Sequence, residues 1–369
     1  MDSSQLQKAH EAARQFISGE NGLQIDEIGA GNINDTFLVS SNDQPAFILQ
    51  RLSPQAFNAP ELICENLATL NNSLPAEHLH RFVPHRRWAI PQLLTTLAGN
   101  QWWCDNHGTW RALSYIGNTT TLSSLTSQHQ AREVGRALAI FHNLAREIPA
   151  AGLHITIPHF HETPHYFRLY EAALSTNPSC PKNALAAECQ NFIEEHRGFV
   201  AILEEARLRG ELQTTTIHGD PKLANILFDQ ETSRACALID LDTVGPGLLL
   251  YDIGDCLRSC CNPGGCAYDL DTTCFDRDIC LEILHGFLED GRHLLNASDK
   301  KYLLAAIRLI PLELGLRFFT DYLQGCHYFK TASPEETLQR AAAQFRLTAS
   351  IERQQDLLEE KLQTLFSDH

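Results

Sequence analysis

The chain has 369 residues, of which 43% are hydrophobic, 20% charged and 8% aromatic. This composition is typical of a globular protein and excludes collagen-like, coiled-coil and disordered classes, and the length predicts one large two-lobed fold or two domains. The formal net charge of −16 disfavours binding to nucleic acid or to an anionic membrane through charge alone.

The N-terminal segment and the cysteine content both bear on the cellular compartment. Residues 1–16 lack the positive and then apolar segments of a secretory signal, and no run of about 18 apolar residues follows, which predicts a cytoplasmic protein. Six of the twelve cysteines lie between Cys256 and Cys280. Their irregular spacing is not that of a zinc site, so we expect free, buried thiols there.

The N-terminal third predicts a small β-rich lobe. A helix is expected over residues 5–19, and alternating apolar and polar residues predict three strands between residues 23 and 52. A second helix is expected over residues 60–72. The segments QWWC and WRALSYI, separated by DNHG, predict a hairpin that ends near residue 116.

From residue 119 onward the pattern becomes mainly helical. The apolar residues of AREVGRALAIFHNLA fall on one face of a helix. Short strands interrupt the helices between residues 214 and 240. The last helix is expected to begin at Pro334, behind the capping residue Ser333, and to extend to about residue 366.

The order of these elements predicts the architecture. The β-rich segment precedes the helical one, and no internal repeat or long linker divides the chain. We therefore expect an α+β protein with two lobes, residues 1–115 and residues 116–369, which share one cleft near residue 115.

Residues 217–229 (IHGDPKLANILFD) carry the residue types that phosphoryl transfer needs. The reaction requires a carboxylate to deprotonate the attacking hydroxyl, oxygen ligands for a metal ion and positive charge near the transferred phosphate. Asp220 lies on a loop after a strand as the candidate base, and Lys222 can reach the γ-phosphate. Asn225 can hold Mg²⁺ together with nucleotide oxygens, and so can Asp240, which lies at the end of the following hairpin.

This pattern, H-x-D-x-K-x-x-N followed fifteen residues later by a strand-terminal aspartate, resembles the catalytic and metal-binding loops of the protein-kinase-like superfamily. The segment GPGLLLYDIGDCLR, which carries Asp252 and Asp255, is similar to that of the branch containing aminoglycoside phosphotransferases and choline kinases. Within this branch the chain looks most like N-acetylhexosamine 1-kinases. The resemblance covers six blocks in order along the chain: GAGNINDTFLV (29–39), FILQR (47–51), HFHETPHYF (159–167), HGDPKLANIL (218–227), IDLDTVGPG (239–247) and GLRFFTDYLQGCHYF (315–329).

The resemblance implies a two-lobed protein-kinase-like fold of the α+β class, with nucleotide binding in the N-terminal lobe and catalysis and substrate binding in the C-terminal lobe. The implied reaction transfers the γ-phosphate of ATP, bound with Mg²⁺, to the anomeric hydroxyl of GlcNAc or GalNAc. Asp220 and Lys222 would be catalytic, and Asn225 and Asp240 would hold the metal ion.

The same resemblance implies two residues that contact the sugar. Arg317 offers five donors in a rigid fork, which suit vicinal hydroxyls or an acetamido carbonyl, and Tyr328 offers an aromatic face with a polar tip. A helix-packing arginine and a core tyrosine explain these two residues equally well. Asn32 is a further sugar-binding candidate.

Four residues are implied to bind the nucleotide. Gly31, in a tight turn, would approach the phosphates, and the backbone of Ser114 and Ile116 would meet the adenine. Gln50 ends the strand on which the superfamily usually places a lysine or arginine that binds the α- and β-phosphates, so this strand lacks that charge. Arg51 points to the opposite face of the strand and does not replace it.

Two other functions remain open at this point. One is a phosphotransferase that acts on another alcohol, such as an aminoglycoside, choline or an amino-alcohol. The other is a pseudokinase that binds nucleotide without chemistry, which Gln50 favours and the presence of all four catalytic and metal residues disfavours. The expected partners are small molecules, with no nucleic acid and no membrane.

Overall fold

The computed structural model describes most of the chain. It covers residues 3–18, 22–28, 33–42, 44–75, 79, 83–106, 108–176, 183–263 and 269–368. Within these ranges an antiparallel sheet occupies the N-terminal part and helices dominate the C-terminal part, which confirms the predicted α+β fold. No helix in the described ranges has the length and the apolar character needed to cross a membrane.

Six strands form the N-terminal sheet: β1 (Leu23–Glu27), β2 (Asp35–Ser41), β3 (Gln44–Leu52), β4 (Leu93–Leu94), β5 (Trp103–Asp105) and β6 (Gly108–Ser114). They pair in the order β1-β2-β3-β6-β4, and β5 also pairs with β6. Helices α1 (Ser3–Ala13) and α2 (Glu61–Ser73) accompany the sheet. The predicted meander, second helix and hairpin are all present, whereas β4, with two residues, is too short to leave a sequence pattern.

The two faces of this sheet pack against different partners. On one face Phe37 and Trp110 are buried in a cluster with helix α1. The other face carries Gln50 and Arg111, which lie side by side because the β3–β6 register pairs them. Leu113, two residues further along β6, joins the core of the helical part. This second face therefore packs toward the helical part of the chain.

The helices of the C-terminal part, within the described residues, are α3 (Gln128–Ala145), α4 (Thr163–Thr176), α5 (Ala184–Glu195), α6 (Ile202–Leu208), α7 (Leu249–Cys260), α8 (Arg277–Gly291), α9 (Ala297–Gln324), α10 (Pro334–Arg353) and α11 (Gln355–Asp368). Helices α3 and α8 cross at very short range. A Cβ atom at Gly135 would lie 1.8 Å from the carbonyl oxygen of Ile283. Glycine is therefore required at this position of α3.

Two helices end earlier than the sequence predicts. Helix α1 ends at Ala13 instead of residue 19, and Gln15 and Phe16 then form tighter turns, donating to carbonyl oxygens three residues back at 3.0 Å. The predicted last helix is divided at Gln354, whose side-chain amide donates to the carbonyl oxygen of Phe275 at 3.0 Å.

Short strands position the candidate active site. Strand β8 (Thr214–Ile217) pairs with β11 (Gly245–Leu248), and β9 (Ile226–Asp229) pairs with β10 (Ala235–Leu238) and with β7 (Thr119–Thr120). The loop between β8 and β9 and the turn after β10 therefore lie at neighbouring strand ends, where the sequence places its candidate catalytic residues.

Candidate active site

A buried carboxylate fixes the loop that follows β8. Asp252, in α7, accepts hydrogen bonds of 2.7 Å from the backbone N–H groups of His218 and Gly219. Burial alone raises the pKa of Asp252, but His142 Nε2, 3.0 Å away, and the His218 N–H lower it below its ordinary value. Asp252 is therefore ionised at neutral pH and holds the loop in one conformation.

His218 lies beneath the loop and joins it to the neighbouring strand end. The ring is fully buried, and burial lowers its pKa, so the imidazole is neutral. Its partners assign the tautomer: Nε2 donates to the carbonyl oxygen of Ile239 at 3.0 Å, and Nδ1 accepts from the Asp220 N–H at 3.2 Å. The backbone of Asp220 is thereby tied to the residue that precedes Asp240.

The structure brings together the four residues predicted for catalysis and metal binding. Lys222 Nζ forms an ion pair with Asp220 and lies 3.8 Å from the Asp240 carboxylate. Asn225 Nδ2 donates to the backbone oxygen of Asp220 at 2.8 Å and lies 3.3 Å from its carboxylate. The side chains of Asp220, Lys222 and Asp240 are 29%, 31% and 37% exposed, so a ligand can reach them.

The carboxyl groups of Asp220 and Asp240 have pKa values shifted in opposite directions. Burial alone raises the pKa of Asp220, but the Lys222 ammonium lowers it below its ordinary value, so Asp220 is ionised. Burial and the negative charge of Asp242 raise the pKa of Asp240 to about 6. Negative charge is thus crowded at Asp240, and a bound cation would relieve it.

The donors around Asp240 fit a divalent metal ion that is bound together with a nucleotide. Mg²⁺ prefers oxygen ligands and takes few protein carboxylates where phosphates are present. Asp240 offers a partly exposed carboxylate on a residue in the left-handed conformation, with φ of 65°. The side-chain hydrogen bonds of Asn225 within the described ranges use Nδ2, which leaves its Oδ1 for the metal.

Arg317, on α9, lies within a cluster of aromatic rings. The ring centroids at 4.9 to 6.0 Å from its guanidinium carbon belong to Phe160, Tyr166, Tyr328 and Phe329. Aromatic faces stabilise a neighbouring cation because their π-systems are electron-rich. The cluster therefore holds a positive charge in largely apolar surroundings.

Hydrogen bonds connect this helix with the loop that carries Asp220. Glu313, one turn before Arg317, lies 3.0 Å from His161 Nδ1, and His161 Nε2 lies 2.7 Å from the carbonyl oxygen of Gly219. Both partners are acceptors, so both ring nitrogens must be protonated. Burial alone lowers the pKa of His161, but Glu313 raises it above its ordinary value. His161 is therefore an imidazolium between α9 and the loop.

Tyr328 is positioned by a carboxylate at the end of α9. Asp321 Oδ1 accepts from the N–H groups of His327 and Tyr328 at 2.9 Å, and Oδ2 accepts from Phe329 at 3.1 Å. The Tyr328 side chain is 37% exposed, so it is not a core tyrosine. The two predicted sugar contacts, Arg317 and Tyr328, thus belong to one cluster.

A buried arginine lies beside Gln50 on the face of the sheet that packs toward the helical part. Arg111 donates to Gln50 Oε1 from Nε at 3.0 Å and from Nη2 at 2.7 Å, and it forms an ion pair with Asp242. Arg51 points to the other face and pairs with Asp35, as strand alternation predicts. Sequence reasoning missed Arg111, although a charge within the otherwise apolar strand WRALSYI was an available signal.

Four other residues are predicted to face the nucleotide or sugar, and the structure describes two of them, Ser114 and Ile116. Gly31 and Asn32 lie outside the described residues. Ser114 already uses its N–H, which donates to the carbonyl oxygen of Gln92 at 2.9 Å, and its hydroxyl, which accepts from the Gln92 N–H. Ile116, two residues further on, is partly exposed like Ser114, and its carbonyl oxygen accepts a hydrogen bond of 2.9 Å from the Thr119 hydroxyl.

The cysteine-rich segment contains free thiols, as its spacing predicts, but Cys274 is exposed where a buried thiol was expected, and Cys266 lies outside the described residues. The buried free cysteines of this segment are Cys256, Cys260, Cys261 and Cys280. Burial raises the pKa of the Cys261 thiol well above its ordinary value, which keeps it protonated and unreactive.

The sequence matches the phosphotransferase enzyme family over residues 24–273. This range covers more than half of the chain, so the protein belongs to that family and is a phosphotransferase. The match includes the N-terminal sheet and the loop that carries Asp220, but it ends before the helix that carries Arg317.

Solved structures show the same fold at low sequence identity. The microcompartment-associated aminopropanol kinase is 19% identical, with a TM-score of 0.60 over 97% of this chain and 99% of that one. A choline kinase from Cryptosporidium parvum Iowa II is 14% identical, with a TM-score of 0.61 over 98% and 99%. Spectinomycin phosphotransferase, solved with ADP and spectinomycin, is 15% identical, with a TM-score of 0.55 over 90% and 93%. These likenesses establish the fold over nearly the whole chain.

Proposed function

We propose that the chain is an ATP-dependent kinase that phosphorylates the anomeric hydroxyl of the N-acetylhexosamines GlcNAc and GalNAc. Membership of the phosphotransferase family supports the transfer reaction. The observation that carries the proposal is the convergence of Asp220, Lys222, Asn225 and Asp240 at one partly exposed place. The choice of acceptor depends on the sequence blocks and on the cluster around Arg317.

Asp220 would act as the base. Because Lys222 holds its pKa low, Asp220 is ionised and can orient the sugar hydroxyl and accept its proton as the oxygen attacks the γ-phosphorus. The bond between the γ-phosphorus and the β,γ-bridging oxygen would break, and ADP would leave. The Lys222 ammonium places positive charge next to the transferred group. Asn225 and Asp240 would hold Mg²⁺, which when bound neutralises negative charge on the nucleotide phosphates.

In this proposal the two lobes have separate tasks. The N-terminal lobe, residues 1–115, binds the nucleotide, and the C-terminal lobe, residues 116–369, supplies catalysis and sugar binding. The adenine would lie where the lobes join, at Ser114 and Ile116. Gly31, which lies between β1 and β2 in sequence, would approach the phosphates.

The positive charge of Arg317 favours a neutral acceptor over a cationic one. A cluster of aromatic rings would suit a quaternary ammonium group, but here the guanidinium occupies it. The arginine donors fit vicinal hydroxyls or an acetamido carbonyl. Tyr328, which is partly exposed, adds an aromatic face and a hydroxyl, and Asn32 would add an amide.

Turnover with Mg-ATP and a panel of acceptors tests this function. We expect phosphorylation of GlcNAc or GalNAc, with the phosphate at carbon 1 by phosphorus NMR. The methyl glycosides of both sugars are matched controls, because their anomeric oxygen is blocked, and they should not react. Rapid turnover of choline, an amino-alcohol or an aminoglycoside, with neither sugar consumed, would refute the proposed acceptor.

A further inference from the structure

The peptide group between Gly219 and Asp220 is held at both of its polar atoms by buried histidine rings. His161 Nε2 donates to its carbonyl oxygen at 2.7 Å, and His218 Nδ1 accepts from its N–H at 3.2 Å. On the other side of Asp220, Asn225 Nδ2 donates to the Asp220 carbonyl oxygen at 2.8 Å. The direction of the candidate base depends on the peptide groups that flank its Cα atom, and His161 holds one of them.

The positive charge of His161 makes this contact selective for one orientation of the peptide group. Glu313 Oε1 lies 3.0 Å from Nδ1, so the protonated ring offers only donors, one to this carboxylate and one to the Gly219 carbonyl oxygen. Gly219, with a φ of 88°, has the conformational freedom of glycine and does not itself fix the peptide group that follows it. A reversed peptide group would direct its N–H at the ring N–H, and two donors form no hydrogen bond.

We propose that His161 is a positioning residue, which fixes the peptide group before Asp220 and thereby aims the carboxylate of this candidate base at the acceptor hydroxyl. Because His161 acts through the base, this role rests on the proposed function. A misplacement of about 1 Å in an active site can lower a rate by about 10². Glu313 lies one turn before Arg317 on α9, so the same bridge joins the base to the helix that carries a proposed sugar contact.

The protonation state of the ring distinguishes this role from simple packing. The ring is faced by the carboxylates of Glu313 on α9 and Asp255 on α7, and by the phenol of Tyr251 on α7, which stays neutral because burial raises its pKa well above its ordinary value. Burial alone lowers the pKa of His161, but Glu313 and Asp255 raise it. When the ring loses one proton at alkaline pH, the other stays on Nδ1 against the Glu313 carboxylate, so Nε2 no longer donates to Gly219.

The variant Glu313→Gln separates the charge from the hydrogen bonds. Its amide nitrogen can donate to Nδ1 of a neutral His161, whose Nε2 proton still reaches the Gly219 carbonyl oxygen. Its amide oxygen can accept from the Thr163 hydroxyl, which donates to Glu313 at 2.7 Å in the wild type. Without this carboxylate, burial keeps the ring neutral from about pH 7 upward. The variant should therefore fold, retain its kcat within about threefold and keep it constant up to about pH 10.

Steady-state turnover with Mg-ATP and an N-acetylhexosamine, normalised to the folded fraction by near-UV circular dichroism, tests this role. His161→Asn should lower kcat at least about tenfold and change both KM values less than about twofold, because the base is misdirected while the binding residues remain. The wild-type kcat should fall at alkaline pH, and this fall should be absent from Glu313→Gln.

Glu352→Gln is the matched control. The ring of His196 lies 2.9 Å from Glu352 Oε1 and 2.7 Å from the carbonyl oxygen of Phe192, so it bridges a carboxylate and a carbonyl group as His161 does. This bridge joins α5 and α10, which carry none of the candidate catalytic residues. The variant should keep the wild-type kcat and its pH profile.

The outcomes separate this role from the proposed function. A His161→Asn protein with the wild-type kcat per folded molecule would overturn the role. If that variant does not fold, Glu313→Gln decides: the same alkaline fall as in the wild type, or a wild-type kcat without any alkaline fall, would overturn the role. A wild-type protein that phosphorylates none of the acceptors would instead refute the proposed function, and this role with it.

Discussion

Replacing His161 with asparagine should strongly destabilise the protein. The ring is 4% exposed and bridges the carboxylate of Glu313 and the carbonyl oxygen of Gly219. Asparagine carries no charge and is too short to reach both partners. Glu313, which is 1% exposed, would then keep a buried charge with Thr163 as a hydrogen-bond donor. Removing one partner of a buried ion pair typically costs about 3–5 kcal/mol of unfolding free energy.

The effect should depend on pH with a defined sign. The pKa of His161 is raised in the folded protein, so its contribution to stability is fully present below the unfolded-state pKa of about 6.5. That contribution is lost as the pH rises through the folded-state pKa. The difference in unfolding free energy between the wild type and His161→Asn should therefore shrink from neutral to alkaline pH, as measured by urea unfolding.

His159→Asn is a matched control for this measurement. His159 and His161 have nearly the same left-handed backbone, with φ of 61° and 62°, which asparagine tolerates. The His159 ring, however, is 50% exposed and pairs with Glu162 at the surface. Its loss should cost less than about 1 kcal/mol. Equal destabilisation by the two variants, or a difference that grows with pH, would refute the imidazolium bridge.

Two further substitutions test the charge at Asp240 and the close crossing of α3 and α8. Asp240→Asn should abolish turnover but raise the melting temperature of the ligand-free protein above pH 6. Burial and the charge of Asp242 raise the pKa of Asp240 to about 6, so ionising this carboxyl group destabilises the folded protein. The gain should stay below about 1 kcal/mol, since the side chain is 37% exposed and solvent screens its charge; a lower melting temperature would contradict this. Gly135→Ala should destabilise the protein by about 3 kcal/mol or more, because its Cβ would lie 1.8 Å from a carbonyl oxygen. Gly152→Ala, with no atom within 4 Å of the new Cβ, should have little effect, and equal losses would refute the close crossing.

The meeting of the candidate catalytic residues could be predicted because it is local. Asp220, Lys222 and Asn225 lie on one short segment, and the β9–β10 hairpin returns the chain to Asp240, so their spacing already places them together. Strand alternation likewise determines that Gln50 and its neighbour face opposite sides of the sheet.

Contacts between distant segments could not be predicted. Arg111 lies 61 residues from Gln50 in sequence, and their meeting depends on the register between β3 and β6. His161 lies 152 residues from Glu313. The break at Gln354 depends on a carbonyl oxygen 79 residues away. Local propensity carries no information on these contacts, because each arises only after the chain has folded.

Steady-state turnover of Asp220→Asn with Mg-ATP and the preferred N-acetylhexosamine tests the assigned chemistry most directly. The kcat should fall by about 10²–10⁴ because the base is lost. The melting temperature should change little, since the ion pair with Lys222 is partly exposed. Asp278→Asn, which removes an exposed surface carboxylate that pairs with Arg277 at the start of α8, should keep the wild-type rate. Wild-type turnover by a correctly folded Asp220→Asn protein would contradict the role of this site in phosphoryl transfer.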